Sequence, residues 1–329
     1  MKVESFLLGV VLLLPVAGFS QELINESHLP KLIQTEKDLT FWHSIGFNYV
    51  QEDYQINNKF TRYLSNNILS YSLGFEYSAF CLSLSFPINV TLMKRKYPVS
   101  SNFDMSVIFV LKGIVFSARI ANTKGFYNVT DIHNFTENID FDSLYRGDMS
   151  RFFTRINAYY YFNPKFRYTE AMNSTYYMQE SGYTFWTGGK MMYHQFINDS
   201  TFFIHPDFNF DGLNDKFSTL RDFSTAVKVG FSGVLASKNW FLEGQIGIGA
   251  NIQVQMMKYQ VRKTRLMVQP DLDMMFSVGY KTKGLIVAIE FPVEVMFNFM
   301  RKKDLLIENN LCVNLRMGFN ISDMLKRHK

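Results

Sequence analysis

Nine charged side chains share a placement that could do chemistry: each lies on the polar side, or at the end, of an apolar–polar alternation. They are Glu76, Lys112, Arg119, Arg155, Arg167, Lys228, Glu243, Glu290 and Arg316. Successive side chains of a strand point to opposite faces, so alternation gathers these charges on one side of a sheet. If the sheet closes on itself, that side becomes an interior. Its chemistry is then recognition of a polar solute, or mutual pairing that stiffens the wall. Arg146 and Asp148 form a second motif, read as a loop element that could fold into such an interior.

Covalent chemistry has less to work with. The six histidines (His28, His43, His133, His194, His205, His328) show no HExxH or other metal-ligand spacing. No GxSxG elbow is present. No cofactor, metal or catalytic residue is therefore assigned, although a Ser/His hydrolase built from distant strands would need no local motif. Cys81 and Cys312 both fall on the charged parity. Their strands would lie three apart around a closed sheet, roughly 14 Å at ~4.8 Å per strand. A disulfide needs Cα atoms within about 7 Å, so two free thiols are expected.

The elements that must position these residues read as strands. Leu311, Val313, Leu315, Met317, Phe319 and Ile321 alternate with Cys312, Asn314, Arg316, Gly318 and Asn320. The same period recurs at Phe41–Tyr49, and in hairpins around Ser78-Ala79, Lys112-Gly113, Ser237–Asn239 and Lys281–Gly284. A further hairpin is expected at Asn163-Pro164, with Phe166 and Tyr168 on its second strand. The strands run about 10–16 residues, whereas a tilted lipid-spanning strand needs ~9–11 and a soluble one is usually ~5–6. Glu52–Ser65, Lys94–Asn102, Thr123–Ser150, Ile197–Asp222 and Met300–Ile307 read as long loops.

An export signal precedes the series. Lys2 supplies a positive start, Phe6 to Val16 an apolar stretch, and Gly18 and Ser20 small residues before a cut between Ser20 and Gln21. That stretch is about half of the ~20 residues a membrane helix needs, and no later run approaches that length. Composition agrees: 47% of the 329 residues are hydrophobic and 16% aromatic. The net charge of +5 is spread out, without the basic, aromatic-laced cluster that nucleic acid binding requires.

The fold expected is all-β: a transmembrane antiparallel up-and-down β-barrel after an N-terminal signal peptide. Thirteen strands are clear, and both ends of a bacterial barrel lie in the periplasm, which requires an even number. Adding Thr201–His205 gives about fourteen, with twelve as the fallback. The division is 1–20 signal peptide, 21–40 periplasmic segment, 41–321 barrel and 322–329 a periplasmic basic tail. Apolar residues face lipid and polar ones the lumen. Trp42, Tyr159, Tyr161, Trp186, Trp240 and Tyr280 are expected to form an interfacial girdle, with Trp240 and Tyr280, which flank turns, its best-placed members.

Several blocks resemble a family of Bacteroidetes outer-membrane barrel proteins known only as a domain of unknown function. The resemblance rests on Asn66–Tyr77, Lys124-Gly125-Phe126-Tyr127, Tyr145-Arg146-Gly147-Asp148, Tyr160–Tyr168, Gln179–Tyr183 and Lys238–Leu242, in that order. It implies the outer membrane of a Gram-negative, Bacteroidetes-type bacterium as location, with lipid and the barrel-assembly machinery, which reads a terminal aromatic such as Phe319, as partners. It implies no activity. Three readings follow: a pore or solute-uptake barrel taking a small solute, a structural or surface-interaction barrel, and an outer-membrane enzyme acting on lipid.

Overall fold

The computed structural model describes residues 32–34, 39–56, 59–65, 69–77, 80–88, 100–111, 113–129, 144–163, 176–178, 181–199, 219–258, 262–282, 285–301 and 304–321. The chain opens with β1 (Leu32–Gln34), β2 (Leu39–Ile56), β3 (Lys59–Leu64), β4 (Leu69–Tyr77) and β5 (Phe80–Ile88). It continues through β6 (Ser101–Leu111), β7 (Ile114–Asn128), β8 (Tyr145–Tyr161), β9 (Tyr176–Met178) and β10 (Gly182–Ile197). The last third holds β11 (Thr219–Ser237), β12 (Trp240–Lys258), β13 (Arg262–Lys281), β14 (Leu285–Arg301) and β15 (Asp304–Asn320).

Twelve strands close one antiparallel wall in the order β2-β4-β5-β6-β7-β8-β10-β11-β12-β13-β14-β15, with β15 pairing back to β2. The wall therefore has the fallback number rather than fourteen. Two direct pairings remove the extra strands. β8 lies against β10 from Tyr161↔Trp186 to Ser150↔Ile197, so no strand follows Asn163-Pro164 in the wall. β10 lies against β11 along its whole length, which leaves no place for Thr201–His205. Phe166, Tyr168 and residues 201–205 themselves lie outside the described residues, as do the expected signal peptide, the cut at Ser20 and Gln21, and the basic tail. β1 and β9 form a separate two-stranded sheet.

Parity survives this correction. The connections at 78–79, 112–113, 238–239 and 282–284 join strands at one end of the wall, where β2 also begins and β15 ends. Strands run further into the expected loops than alternation suggested. β7 continues to Asn128, β8 starts at Tyr145, and only residues 302 and 303 separate β14 from β15. β4 and β5 have 9 residues and β6 has 11, about one bilayer crossing; β13 reaches 20.

Every wall strand turns at least one large apolar side chain outward. Phe47 is 55% exposed, Ile156 54%, Leu235 65% and Val268 70%. An apolar surface continuous around a closed wall is far larger than the few hundred Å² soluble monomers carry, and hydrocarbon is the solvent that suits it.

One sector departs from a plain barrel. β2 pairs with β4 up to Phe47 and then with β3 from Gln51. β7 pairs with β6 up to Lys124 and then with β3 through Tyr127 and Asn128. Three strands thus give way to one on the loop side. β7 makes the change at a bulge: its register against β8 shifts between Lys124 and Phe126, across Gly125 with φ +86. Only glycine takes that backbone conformation without cost, and the Tyr145 ring fills the space a side chain would need.

Candidate functional site

The interior is built from the polar parity of the twelve strands, and a group of charges forms where β10, β11 and β13 face it. Lys228, Gly249 and Asp271 stand on one rung across β11, β12 and β13. Because Gly249 has no side chain, Lys228 passes over it to Asp271, with Nζ 2.8 Å from Oδ1. Lys228 also bonds Asp273. Lys190 on β10 completes the group, 3.1 Å from Asp271 and 3.7 Å from Asp273. Two ammonium and two carboxylate groups, three of them almost wholly buried, neutralise one another.

The next rung toward the short turns repeats the device with an aromatic. Trp186, Gly230 and Gly247 are in register, and the indole lies across both glycines. Trp42 lies on Gly74 in the same way and carries the Arg316 guanidinium 4.3 Å above its ring. Arg316 also reaches Glu290 at 3.4 Å. Trp42, Tyr159, Tyr161 and Trp186 therefore pack inside, in one cluster with Ile108 and Met275, and do not form a girdle. Their strand parity places them there: Trp42 shares its face with Ser44, and Trp186 with Thr184. Trp240 is 62% exposed and meets Tyr280 edge-on at 5.4 Å, outside the interior.

Beside the lysines, on the neighbouring β7 and β8, three guanidiniums surround one ring. Arg119, Arg151 and Arg155 stand 5.9, 5.7 and 5.8 Å from the centroid of Phe153. Arg119 and Arg155 are direct cross-strand partners. Arg119 grips Asp104 with both Nε and Nη2, at 3.0 and 2.5 Å. Arg151 donates to His194 Nε2 at 3.2 Å, while His194 Nδ1 lies 3.8 Å from Asp222. An imidazole whose Nε2 already accepts from an arginine is not arranged to take a proton from serine.

Between these arginines and the β4–β6 sector lies a cavity of about 240 Å³. Along β6 it runs from Ile108 to Asn102, roughly 20 Å at ~3.4 Å per residue. Ser72 and Ser85 share a hydrogen bond of 2.7 Å on its wall, and Ser83 and Ser106 one of 2.5 Å. Arg119, Arg151, Arg155 and Arg316 line it together with Asp104, Asp273 and Glu290.

The structure brings Arg119, Arg155, Glu290 and Arg316 to this cavity and sets Lys228 against Asp273 on its margin. Glu76 is fully buried and Glu243 half-buried toward the short-turn end, where both act electrostatically on Lys281. Arg167 and Lys112 lie outside the described residues. Cys81 and Cys312 are free thiols on strands three apart around the seam, Cys312 at the cavity and Cys81 in the aromatic cluster.

Arg146 and Asp148 belong to the opening residues of strand β8, not to a loop. Arg146 is buried, holds Asp148 at 3.0 and 3.1 Å and donates to Asn198 at 2.6 Å. The two blocks Lys124–Tyr127 and Tyr145–Asp148 meet there, with Phe126 opposite Arg146 and Tyr127 opposite Tyr145. Tyr63 of β3 is buried beside them, beyond the end of β4. Burial pushes its phenol well above the ordinary value, with Arg146 opposing and Asp148 reinforcing the shift.

Sequence reading passed over Lys190, Asp104, Asp271, Asp273 and Phe153. The acidic pair was visible, since Leu272, Met274 and Phe276 put Asp271 and Asp273 on the polar parity. Among the described residues no group of His, Cys, Asp and Glu is arranged to hold a metal ion.

No curated protein matches the chain. Among solved structures it is similar to the outer membrane protease OmpT from Escherichia coli, at 8% identity over 89% of this chain and 99% of that one, TM-score 0.41. It is also similar to the β domain of the Bordetella autotransporter Brka, at 8% identity over 86% and 99%, TM-score 0.37. A third is the Pseudomonas putida toluene transporter TodX, at 6% identity over 86% and 89%, TM-score 0.28. A family model matches residues 41–320, and the chain belongs to that family, described as Domain of unknown function (DUF4421).

Proposed function

We propose that the protein resides in the outer membrane of a Gram-negative, Bacteroidetes-type bacterium and takes up a small polar solute through a site in its lumen. The apolar outer face and the export-type N-terminus support the location. One observation carries the uptake reading: the lumen holds a polar cavity of about 240 Å³, lined by serines of β4, β5 and β6, by arginines of β7, β8 and β15 and by carboxylates of β6, β13 and β14. An open diffusion pore has a wide aqueous lumen, whereas a specific uptake barrel needs a pocket that fits its solute. Lipid surrounds the wall, and the barrel-assembly machinery inserts it.

A second reading, a structural or surface-interaction barrel, draws support from the buried Lys190, Lys228, Asp271 and Asp273 group and from the aromatic cluster at the short-turn end. Planar-bilayer recording separates the two. Uptake predicts small conductance steps that grow in Trp42→Ala, which empties part of the aromatic cluster. Silence in both proteins would sink the uptake reading and favour the sealed barrel.

A further inference from the structure

We infer that the lumenal cavity binds an anionic monosaccharide, a sugar acid or sugar phosphate, with Arg119 and Arg155 holding the anion and the β4–β6 serines the hydroxyls. This rests on the uptake reading and adds the ligand class to it. Arg119 and Arg155 face each other directly across β7 and β8. Arg119 spends its fork on Asp104 and still stands with Arg151 and Arg155 around Phe153, so three positive charges meet there and an anion placed among them is attracted. Guanidinium groups match carboxylate and phosphate oxygens bidentately.

Charge around the cavity favours a negative guest. Four arginines line it against three carboxylates. One of the three, Asp273, is also shared by two lysines, and Glu290 is engaged by Arg316. Asp104 is the carboxylate beside the Phe153 arginines, and Arg119 grips it. A cationic solute meets repulsion on this wall, and a hydrocarbon would strip water from guanidiniums without replacing it.

The facing wall recognises hydroxyls. Each serine hydroxyl has one donor and two acceptor positions. The Ser72–Ser85 and Ser83–Ser106 bonds use one donor and one acceptor apiece, leaving a donor and several acceptors on each pair for a sugar. A bare inorganic anion would leave that wall unused.

The test uses the full-length barrel in detergent micelles and in planar bilayers, with glucose 6-phosphate, glucuronate, glucose and inorganic phosphate as probes. Calorimetry is expected to show the two anionic sugars binding at least tenfold more tightly than glucose or phosphate, and both to block the conductance steps. Arg155→Gln is expected to weaken that binding about tenfold, and Ser83→Ala severalfold. Equal binding of all four probes, or block unchanged in a folded Arg155→Gln protein, overturns the inference while the steps themselves leave uptake standing. If Arg155→Gln does not fold, Ser83→Ala decides: unchanged preference for glucose 6-phosphate over phosphate overturns the inference. Absence of both steps and binding overturns the inference and the uptake reading together.

Discussion

Asp271→Asn tests whether the lumenal charge group is as tightly coupled as its geometry requires. The substitution keeps the side-chain shape and removes one negative charge. Lys190 and Lys228 then share Asp273 alone, after losing partners at 3.1 and 2.8 Å. The Lys190, Lys228 and Asp271 side chains are 2%, 0% and 2% exposed, so water does not replace what is lost. Breaking a buried pair by removing one partner costs about 3–5 kcal/mol, because the surviving charge is left in a poor solvent. Lys190→Met added to Asp271→Asn removes the surplus charge and leaves one lysine with one aspartate. The double variant is therefore expected within about 1 kcal/mol of the parent, since apolar replacement of a buried pair is often neutral. Urea unfolding in lipid vesicles, followed by the fluorescence of Trp42, Trp186 and Trp240, measures both. A loss below about 1 kcal/mol in Asp271→Asn, or losses that simply add in the double variant, would show that the four groups are solvated independently.

Three further outcomes are expected. Ile248→Arg, at a position 60% exposed in the middle of β12, is expected to cost about 2–4 kcal/mol and reduce the fraction of heat-modifiable folded barrel on a gel, while Ile248→Leu leaves it unchanged. Gly247→Val places side-chain atoms where the Trp186 ring lies, so near-ultraviolet circular dichroism is expected to lose the Trp186 contribution; an unchanged spectrum would contradict the packing. A small charged methanethiosulfonate is expected to label Cys312, at the cavity, well before Cys81, which is enclosed by the aromatic cluster, and oxidant is expected to form no disulfide; mass spectrometry reads both, and equal labelling rates would refute the assignment.

Period-2 alternation made the wall legible, because burial on one face and hydrocarbon on the other leave a mark on every residue of a strand. It could not give the strand count. Phe166 and Tyr168 alternate as well as any wall residues, yet over five positions a period of 2 does not distinguish a strand from a connection. What closes the wall with β10 next to β8 is a pairing between segments about twenty residues apart, which leaves no local trace. The girdle reading failed at Trp42, Tyr159, Tyr161 and Trp186 for a different reason. Strand-end position suggested an interface for Trp42 and Trp186, while their parity with serine and threonine pointed inward. Parity won because Gly74, Gly230 and Gly247 across the rungs leave flat beds for indole rings, and an isolated glycine in a strand carries little meaning until its neighbour is known. The ion group was half legible for the same reason: Lys228 was identified on its own strand, but its partners come from β13, two strands away.

The placement of β3 joins these observations. The cavity lies behind β4, β5 and β6, the shortest strands of the wall, and β3 takes over from them on the loop side. A sheet that drops from three strands to one must turn sharply at the change. The Gly125 bulge supplies that turn, and Arg146, bound to Asp148 and Asn198, ties β8 to the far end of β10 beside it. Lys124–Tyr127 and Tyr145–Asp148, two of the blocks that resemble the family, meet at this change of pairing. Strands of uniform length would leave the serine wall and the Phe153 arginines in an even cylinder. The step instead sets the serine wall across from the Phe153 arginines, with Asp273, Glu290 and Arg316 of other strands completing the lining. Asymmetry of that kind is what a binding site requires and what a plain diffusion pore does not.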